Sequence, residues 1–322
     1  MTPTIYGPAL KAIWNDAIGQ ARNATFLFHR DFMDYHRDRF EDCSLLFVSS
    51  KGKTLAALPA NINREAQRID SHGGLTYGGL LLTKGVHLTE VKEMLNQLAE
   101  IYLEMGAKTL RYKPIPHIYH SYPTEEDLYW LFRSEATLTA RAVSTCIDLK
   151  EALPFSTLRK RKIRKAQEMH PRIMEGGYEC WESYWKILSD VLLRHHQTHP
   201  VHSLTEILSL AKAFPEQIRL FTLHNETECL AGCVVFDCNT TIHIQYIAAS
   251  DEGREQGALD YLFDYLINHY KKLGKRYFDF GISTENGGTV LNEGLLFQKE
   301  GFGGRAICYD TYDIDLNKLA VL

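Results

Sequence analysis

IRLFTLHNETECLAGCVVFDCNTTIHIQYIAASDEGREQGALDYLFDYLINHYKKLGKRYFDFG, residues 218–281, divides into strands and a helix at turns that can be named. Ile218 to His224 is β-branched and aromatic, and Asn225 to Glu228 is a polar turn. Cys229 to Asp237 follows, then a turn at Asn239-Thr240, then Thr241 to Ala249, which completes a three-strand meander. Ser250 to Gly257 is rich in residues that favour loops and helix starts. Ala258 to Lys272 places Leu259, Leu262, Phe263, Leu266, Ile267 and Tyr270 on a helical period, and Gly274 stops it. Arg276 to Gly281 is a strand, Thr289 to Glu300 a helix and Arg305 to Asp315 a closing strand. The string is β-β-β-α-β-α-β.

The first half carries the same string in weaker form. Ser44 to Val48, Lys53 to Asn61 and Leu75 to Thr83 are the meander, Leu88 to Met105 the helix, and Gly106 its stop. Thr109 to Tyr112, Thr124 to Ser134 and Thr137 to Leu149 complete it. Gly106 precedes Asp148 by 42 residues and Gly274 precedes Asp315 by 41, and both halves end in Ile-Asp-Leu, at 147–149 and 314–316. The pattern predicts two copies of one α/β fold, each preceded by helices, divided into residues 1–149 and 150–322.

Composition agrees with this division. The 322 residues are 45% hydrophobic and 24% charged, an ordinary globular balance, and the length favours two domains. Thirty-six Lys and Arg against forty Asp and Glu give a net charge of −4, so no overall basic field draws the protein to nucleic acid or an anionic membrane. The seven cysteines form no CxxC pair, and Cys229, Cys233 and Cys238 read as buried thiols, with no metal expected. The opening MTPTIYGPALKAIW does not read as a signal peptide and no apolar run spans a bilayer, so a reduced, cytoplasmic protein without a transmembrane segment is expected.

A β-β-β-α-β-α-β unit preceded by two helices resembles the GNAT acyltransferase fold. Two such units in tandem resemble the Fem-type aminoacyltransferases, which build peptidoglycan interpeptide bridges, and related bacterial GNAT proteins. The residues that carry the resemblance are Tyr246 to Ser250 with Gly257 to Asp260, Phe278 to Gly281, Asn292 to Leu295 and Lys299 to Gly304. The basic stretch Leu158 to Ala166 and Tyr77 to Leu80 of the first half add to it. The resemblance implies an α/β (α+β) fold of two GNAT-like domains, each a mixed, mostly antiparallel sheet flanked by helices. It implies an amine N-acyltransferase and leaves the substrate open.

Acyl transfer from a thioester needs a gripped carrier, a deprotonated amine, a held oxyanion and an oriented acceptor. GNAT proteins grip the coenzyme A pyrophosphate on backbone N–H groups between third strand and main helix, with the signature Gln/Arg-x-x-Gly-x-Gly/Ala. In Arg254-Glu255-Gln256-Gly257-Ala258-Leu259, Arg254 and Gly257 fit and Leu259 replaces the final small residue. Ile247, Ala248, Arg254, Gly257 and Ala258 are therefore the expected carrier-binding residues, and the departure leaves coenzyme A or another carrier open. The alternative is a capped helix start. In Fem-type enzymes a Lys before Gly-Phe-Gly-Gly is associated with stabilising the tetrahedral intermediate, which implies that role for Lys299; a solvated lysine at a helix end is the alternative. Arg305 either assists at the substrate or flanks a strand.

For the base, Asp279 is an acid inside an otherwise apolar strand. Arg194 to Ser203 concentrates His195, His196, His199 and His202. The segment reads as a loop lining the acceptor site, with His202 or His196 as proton acceptor and His195 beside substrate, or as a polar surface loop; metal ligation lacks carboxylate or thiolate company nearby. His243 and Tyr246 share a strand and alternate so that at most one faces a cleft; Tyr246 is taken as substrate-facing. Arg161, Lys162 and Arg164 lie among six basic residues in seven, either a solvated helix or a clamp for a nucleotide-sugar, lipid-pyrophosphate or carrier phosphate. The glycine-rich Ser71 to Gly79 either bulges or admits a ligand, with Tyr77 toward the acceptor, and Arg111 and Lys113 are expected in an interdomain cleft. The first half is predicted to shape the acceptor pocket.

The leading reading is transfer from a coenzyme A-type thioester, with no tightly bound cofactor, to a small-molecule or lipid-linked amine. The Fem resemblance points to a cell-envelope amino sugar or peptide precursor. Aminoacyl-tRNA as donor is the second reading, against which the acidic net charge weighs. A ligand-binding module without catalysis is the third.

Overall fold

The computed structural model describes residues 1–322, apart from the side chain of His196. The first half runs β1 (Thr2–Ile5), α1 (Lys11–Gln20), α2 (Arg30–Met33), β2 (Glu41–Asp42), β3 (Leu45–Val48), β4 (Thr54–Leu58), β5 (Asn61–Asn63) and β6 (Arg68–Asp70). It continues through β7 (Leu81–Leu82), α3 (Leu88–Glu104), β8 (Thr109–Tyr112), α4 (Glu126–Arg133) and β9 (Thr137–Asp148). The second half opens with α5 (Thr157–Gln167), β10 (Arg172–Glu175), α6 (Tyr178–His196), α7 (Leu204–Ala213), β11 (Ile218–His224), β12 (Cys229–Cys238) and β13 (Thr241–Ala249). It closes with α8 (Asp251–Gln256), α9 (Ala258–Lys272), β14 (Tyr277–Ile282), β15 (Thr284–Glu285), β16 (Val290–Leu291), α10 (Glu293–Glu300), β17 (Arg305–Asp315) and α11 (Leu316–Leu319).

Two compact units result. One comprises Met1–Val143, Thr284–Val290 and Cys308–Leu322; the other comprises Ser144–Ser283 and Leu291–Ile307. The division at 149/150 and this one differ because the two closing strands are exchanged. Residues 144–148 of β9 pair antiparallel with β14 in the second unit, where Ile147 and Leu149 enter the core. Tyr312 to Asp315 of β17 pair antiparallel with β8 in the first unit, where Ile314, Leu316 and Leu319 enter the core. The repeated Ile-Asp-Leu is thus a real landmark, but each copy serves the other half's core. Short-range pattern cannot reveal that: a closing strand reads the same whichever sheet receives it.

In the second unit the order is β10-β11-β12-β13-β14-β9. β12 is apolar almost throughout because it is covered on both faces. Its Cys233 and Val235 meet the apolar stripe of α9, Leu262, Phe263, Leu266 and Ile267, in one core. On the other face Gly232 leaves room for the Tyr184 ring of α6, which a Cβ there would meet at 2.3 Å.

In the first unit β1-β3-β4-β7 form one sheet, and β17, β8, β6, β5 and β2 lie side by side in another. The strand expected over Leu75 to Thr83 is reduced to β7. Its glycines admit the chain to itself and not a ligand: a Cβ on Gly78 would fall 1.9 Å from the Ser71 carbonyl oxygen, and one on Gly79 2.7 Å from the Tyr112 hydroxyl. Among the described residues, no helix is long and apolar enough to cross a membrane.

Candidate active site

The third strand and its parallel neighbour part company inside the second unit. β13 and β14 pair over three residues only, Thr241 with Tyr277, Ile242 with Phe278 and His243 with Asp279. Along its other edge β14 pairs with β9, with a register break between Asp279 and Ile282, while β13 runs on to Ala249 paired with β12. Ile244 to Ala249 therefore border a wedge that opens from the last shared pair, and an extended ligand can add to such an edge. Ile247 and Ala248 lie on it.

The last shared pair carries two ionisable side chains, His243 and Asp279. Phe278 and Phe280 turn into the aromatic core with Phe263 and Phe302, so strand alternation turns Asp279 to the other face. Asp279 is wholly buried. One of its oxygens receives the Ser144 hydroxyl, and the other lies 2.7 Å from His243 Nδ1. A carboxylate accepts only, so Nδ1 carries the proton and Nε2 of the neutral ring is the basic nitrogen. The imidazole is the partly exposed member of the set, with 13% of its side chain accessible.

Lys299 reaches the same place from the end of α10. Its ammonium donates to the carbonyls of Gly281 and Ile282, each at 2.8 Å, and only 3% of the residue is exposed. Burial pushes its proton affinity down, to about 8, and the Asp279 charge opposes that shift. Gly281 at φ +76° supplies the left-handed turn that breaks the β14 ladder here.

A one-residue bulge decides what else faces this side. Val234 opposes Tyr246 and Val235 opposes Ile244, which leaves Gln245 extra in β13. His243 opposes Phe236, which shares a face with Val234, so His243 and Tyr246 project from the same face. The expectation that they diverge fails at this bulge. Tyr246 is held by His202: its hydroxyl lies 2.7 Å from Nδ1 and accepts the His202 backbone N–H at 3.3 Å. The ring also packs edge-on against Trp185, and burial raises the phenol's proton affinity. His202 itself is 5% exposed, so it fixes Tyr246 in place.

The expected carrier turn is built differently from a bare glycine loop. Residues 251–256 form α8, capped by Ser250, whose hydroxyl accepts the Gly253 N–H at 3.0 Å. Gly257, at φ +76°, ends α8 and opens α9, and a Cβ on it would meet the Lys162 carbonyl oxygen at 2.7 Å. The basic helix α5 therefore lies directly against this junction. It is fastened there by a buried pair, Arg159 to Asp260 at 2.6 Å, and by Lys165 donating to the Glu255 carbonyl at 2.9 Å. Asp260 places its own carboxylate in the first turn of α9, where an anion would otherwise be received. Lys160, Arg161, Arg164 and Lys165 of α5 are exposed and Lys162 is half-buried.

The remaining expected residues separate from this cluster. Arg254 is exposed, paired with Asp251 at 2.5 Å, and donates to His195 Nε2 at 3.2 Å on the surface; Ala258 is buried. The His196 side chain lies outside the described residues. Tyr77 is buried in the first unit against Phe28 and Tyr119, a core position. Arg305 is exposed and donates to the Gly304 carbonyl beside a recess of about 260 Å³ with Cys146, Asp148 and Tyr277. Arg111 and Lys113 line a cavity of the first unit. The sequence alone singles out neither His243 as the partner of Asp279 nor Ser144. The available signal was a polar residue at the same depth of two neighbouring apolar strands, but it becomes one only when the register is known.

Residues 157–286 match the family model described as an acetyltransferase (GNAT) domain. No curated protein sequence matches. Among solved structures, the chain is similar to FemX, at 11% identity and a TM-score of 0.71 over 99% of this chain and 98% of that one. It is also similar to L-PGS from Bacillus licheniformis, at 14% identity and a TM-score of 0.60 over 98% and 96%.

Proposed function

From a GNAT domain set in the fold of FemX, we propose an acyltransferase that moves an aminoacyl group from tRNA to an amine. The observation that carries acyl transfer is the wedge with His243, Asp279 and Lys299 at its closed end. His243 Nε2 takes a proton from the acceptor nitrogen as the amine adds to the ester carbonyl, Asp279 holds the imidazolium that forms, and the ester C–O bond then breaks with that proton passing to the departing tRNA ribose oxygen. Lys299 uses two of its three N–H bonds on strand carbonyls, and the third serves the oxyanion of the tetrahedral intermediate. The acceptor in this reading is the amine of a cell-envelope amino sugar or peptide precursor, met in the cytoplasm.

The choice of donor rests on α5. The start of α9 is taken up by the buried Arg159–Asp260 pair, and the space at Gly257 is filled by the α5 backbone, which leaves little room there for a coenzyme A pyrophosphate. The same helix presents four exposed cations, a local patch that suits a phosphate backbone despite the net charge of −4. This favours aminoacyl-tRNA over a coenzyme A thioester.

Donor binding tests it. Aminoacyl-tRNA binding, followed by fluorescence anisotropy, is expected to weaken steeply with salt, and Arg161→Glu with Arg164→Glu to weaken it further at low salt. Acetyl-coenzyme A bound tightly by calorimetry, with tRNA indifferent to the α5 changes, returns the donor to the thioester.

A further inference from the structure

The first unit holds a second concentration of charge. In β5, β6, β8 and β17, Ile62, Ile69, Leu110, Tyr112 and Ile314 face one way, into the apolar core. The alternate residues face the other way, and register lines them up: Asn61 opposes Asp70, Asp70 opposes Arg111, and Arg111 opposes Asp313. A wet face is ordinary for such a sheet. Here, however, the face is walled. Arg39 to Glu41, Asn63 to Glu65, Gly73 and Thr139-Ala140 border it as an open-mouthed cavity of about 840 Å³, within the size range of small-molecule sites.

The lining carries five cations, Arg39, Arg64, Arg68, Arg111 and Lys113, against three carboxylates, Glu41, Glu65 and Asp70. Arg68 pairs with Asp70 at 2.9 Å, Arg111 grips Asp313 with two bonds of 2.8 Å, and Arg64 pairs with Glu41. Lys113 differs. Its ammonium donates to the Leu75 carbonyl, and among the described residues no carboxylate lies within ion-pair distance of it. Burial lowers its proton affinity to about 8; the Asp70 charge opposes that shift and the Arg111 charge adds to it. The Asn61 carbonyl oxygen is taken by the Gly73 N–H at 2.7 Å, which turns the Asn61 amide NH₂ toward donation.

We propose that this cavity binds a small molecule bearing at least two anionic groups, carboxylates or phosphates, anchored by Lys113, Arg111 and Arg68. With Nε and Nη2 held by Asp70 and Asp313, Arg68 and Arg111 offer their Nη1 N–H bonds to the anions, and Lys113 adds a point charge. The site stands on the first unit's own residues and is independent of the donor reading.

The test uses the full chain and three probes: pyrophosphate, propane-1,2,3-tricarboxylate and uncharged glycerol. Lys113, with its lowered proton affinity, is acetylated by an N-hydroxysuccinimide ester near pH 8, and peptide mass spectrometry reads its rate against the other lysines. At about 10 mM, one of the two anions is expected to slow Lys113 acetylation at least about fivefold, with glycerol inert. Arg111→Met and, separately, Arg68→Met should raise the protecting concentration about tenfold, with circular dichroism unchanged in at least one of them. Stronger protection by pyrophosphate assigns a phosphate ligand, and stronger protection by the tricarboxylate assigns a carboxylate one. Absence of protection by both anions, equal protection by glycerol, or protection that survives in the folded variant overturns the proposal.

Discussion

Replacing Arg159 by Met leaves the Asp260 carboxylate buried without its partner. The two side chains are 2.6 Å apart with 6% and 5% of their surface exposed, so solvent screens the pair little. Breaking a buried pair by removing one member costs about 3–5 kcal/mol. At about 2–4 °C per kcal/mol for a domain of this size, the midpoint should fall by about 6–20 °C. The pH dependence has a definite sign. Burial already raises the Asp260 carboxyl and Arg159 opposes that rise, so the variant's carboxyl moves higher still. A folded carboxyl with a raised value binds a proton that the unfolded chain does not, and stability therefore falls as pH rises through that window. The loss in Arg159→Met should thus be largest at neutral and alkaline pH and shrink on acidification towards the ordinary carboxyl value. Urea denaturation at several pH values measures it, and Asp260→Asn in the same background should restore about 2 kcal/mol or more. A loss under about 1 kcal/mol, or no recovery when the acid is also replaced by its amide, refutes the claim that this pair seats α5.

His243→Gln should lower acyl transfer about 10²–10⁴-fold while donor binding is unchanged, read as kcat against Kd. Lys299 has a proton affinity lowered to about 8, below its ordinary 10.5, so the unfolded chain binds more protons in that window and the lysine's contribution to stability improves as pH rises through it. Denaturation of the wild type against Lys299→Met between about pH 7 and 10 should show the wild type gaining, by at most about 3 kcal/mol. Gly257→Ala adds a clash with the Lys162 carbonyl to left-handed strain of about 1–3 kcal/mol, whereas Gly106→Ala, at φ +84° with open space, carries the strain alone. The two melting points should differ accordingly, and equal losses would remove the α5 contact from the account.

Much of this was legible residue by residue. β11, β13, α9 and β17 begin and end where turn residues, Gly274 and the apolar period place them. Lys299 and Asp279 stand out in the sequence because each breaks a local pattern, a lysine before glycines and an acid between phenylalanines. Three things were not. The exchange of β9 and β17 depends on which sheet receives a strand, a long-range choice that no window of sequence contains. The Gln245 bulge reverses the facing of Tyr246 relative to His243, and nothing in TIHIQYIAA marks it. The glycines of Ser71 to Gly79 signal close approach correctly, but the approaching atoms are Ser71, His36 and Tyr112 of the same chain.

Single-turnover transfer is the most direct test of the wedge as an acyl-transfer site. Wild-type protein and His243→Gln are mixed with a pool of labelled aminoacyl-tRNAs or with labelled acetyl-coenzyme A, in the presence of amino-sugar and peptide amines. The account predicts label moving from tRNA to an amine in the wild type, slowed at least about 100-fold in His243→Gln. Faster transfer from acetyl-coenzyme A, or transfer from tRNA that the histidine change leaves untouched, would contradict it.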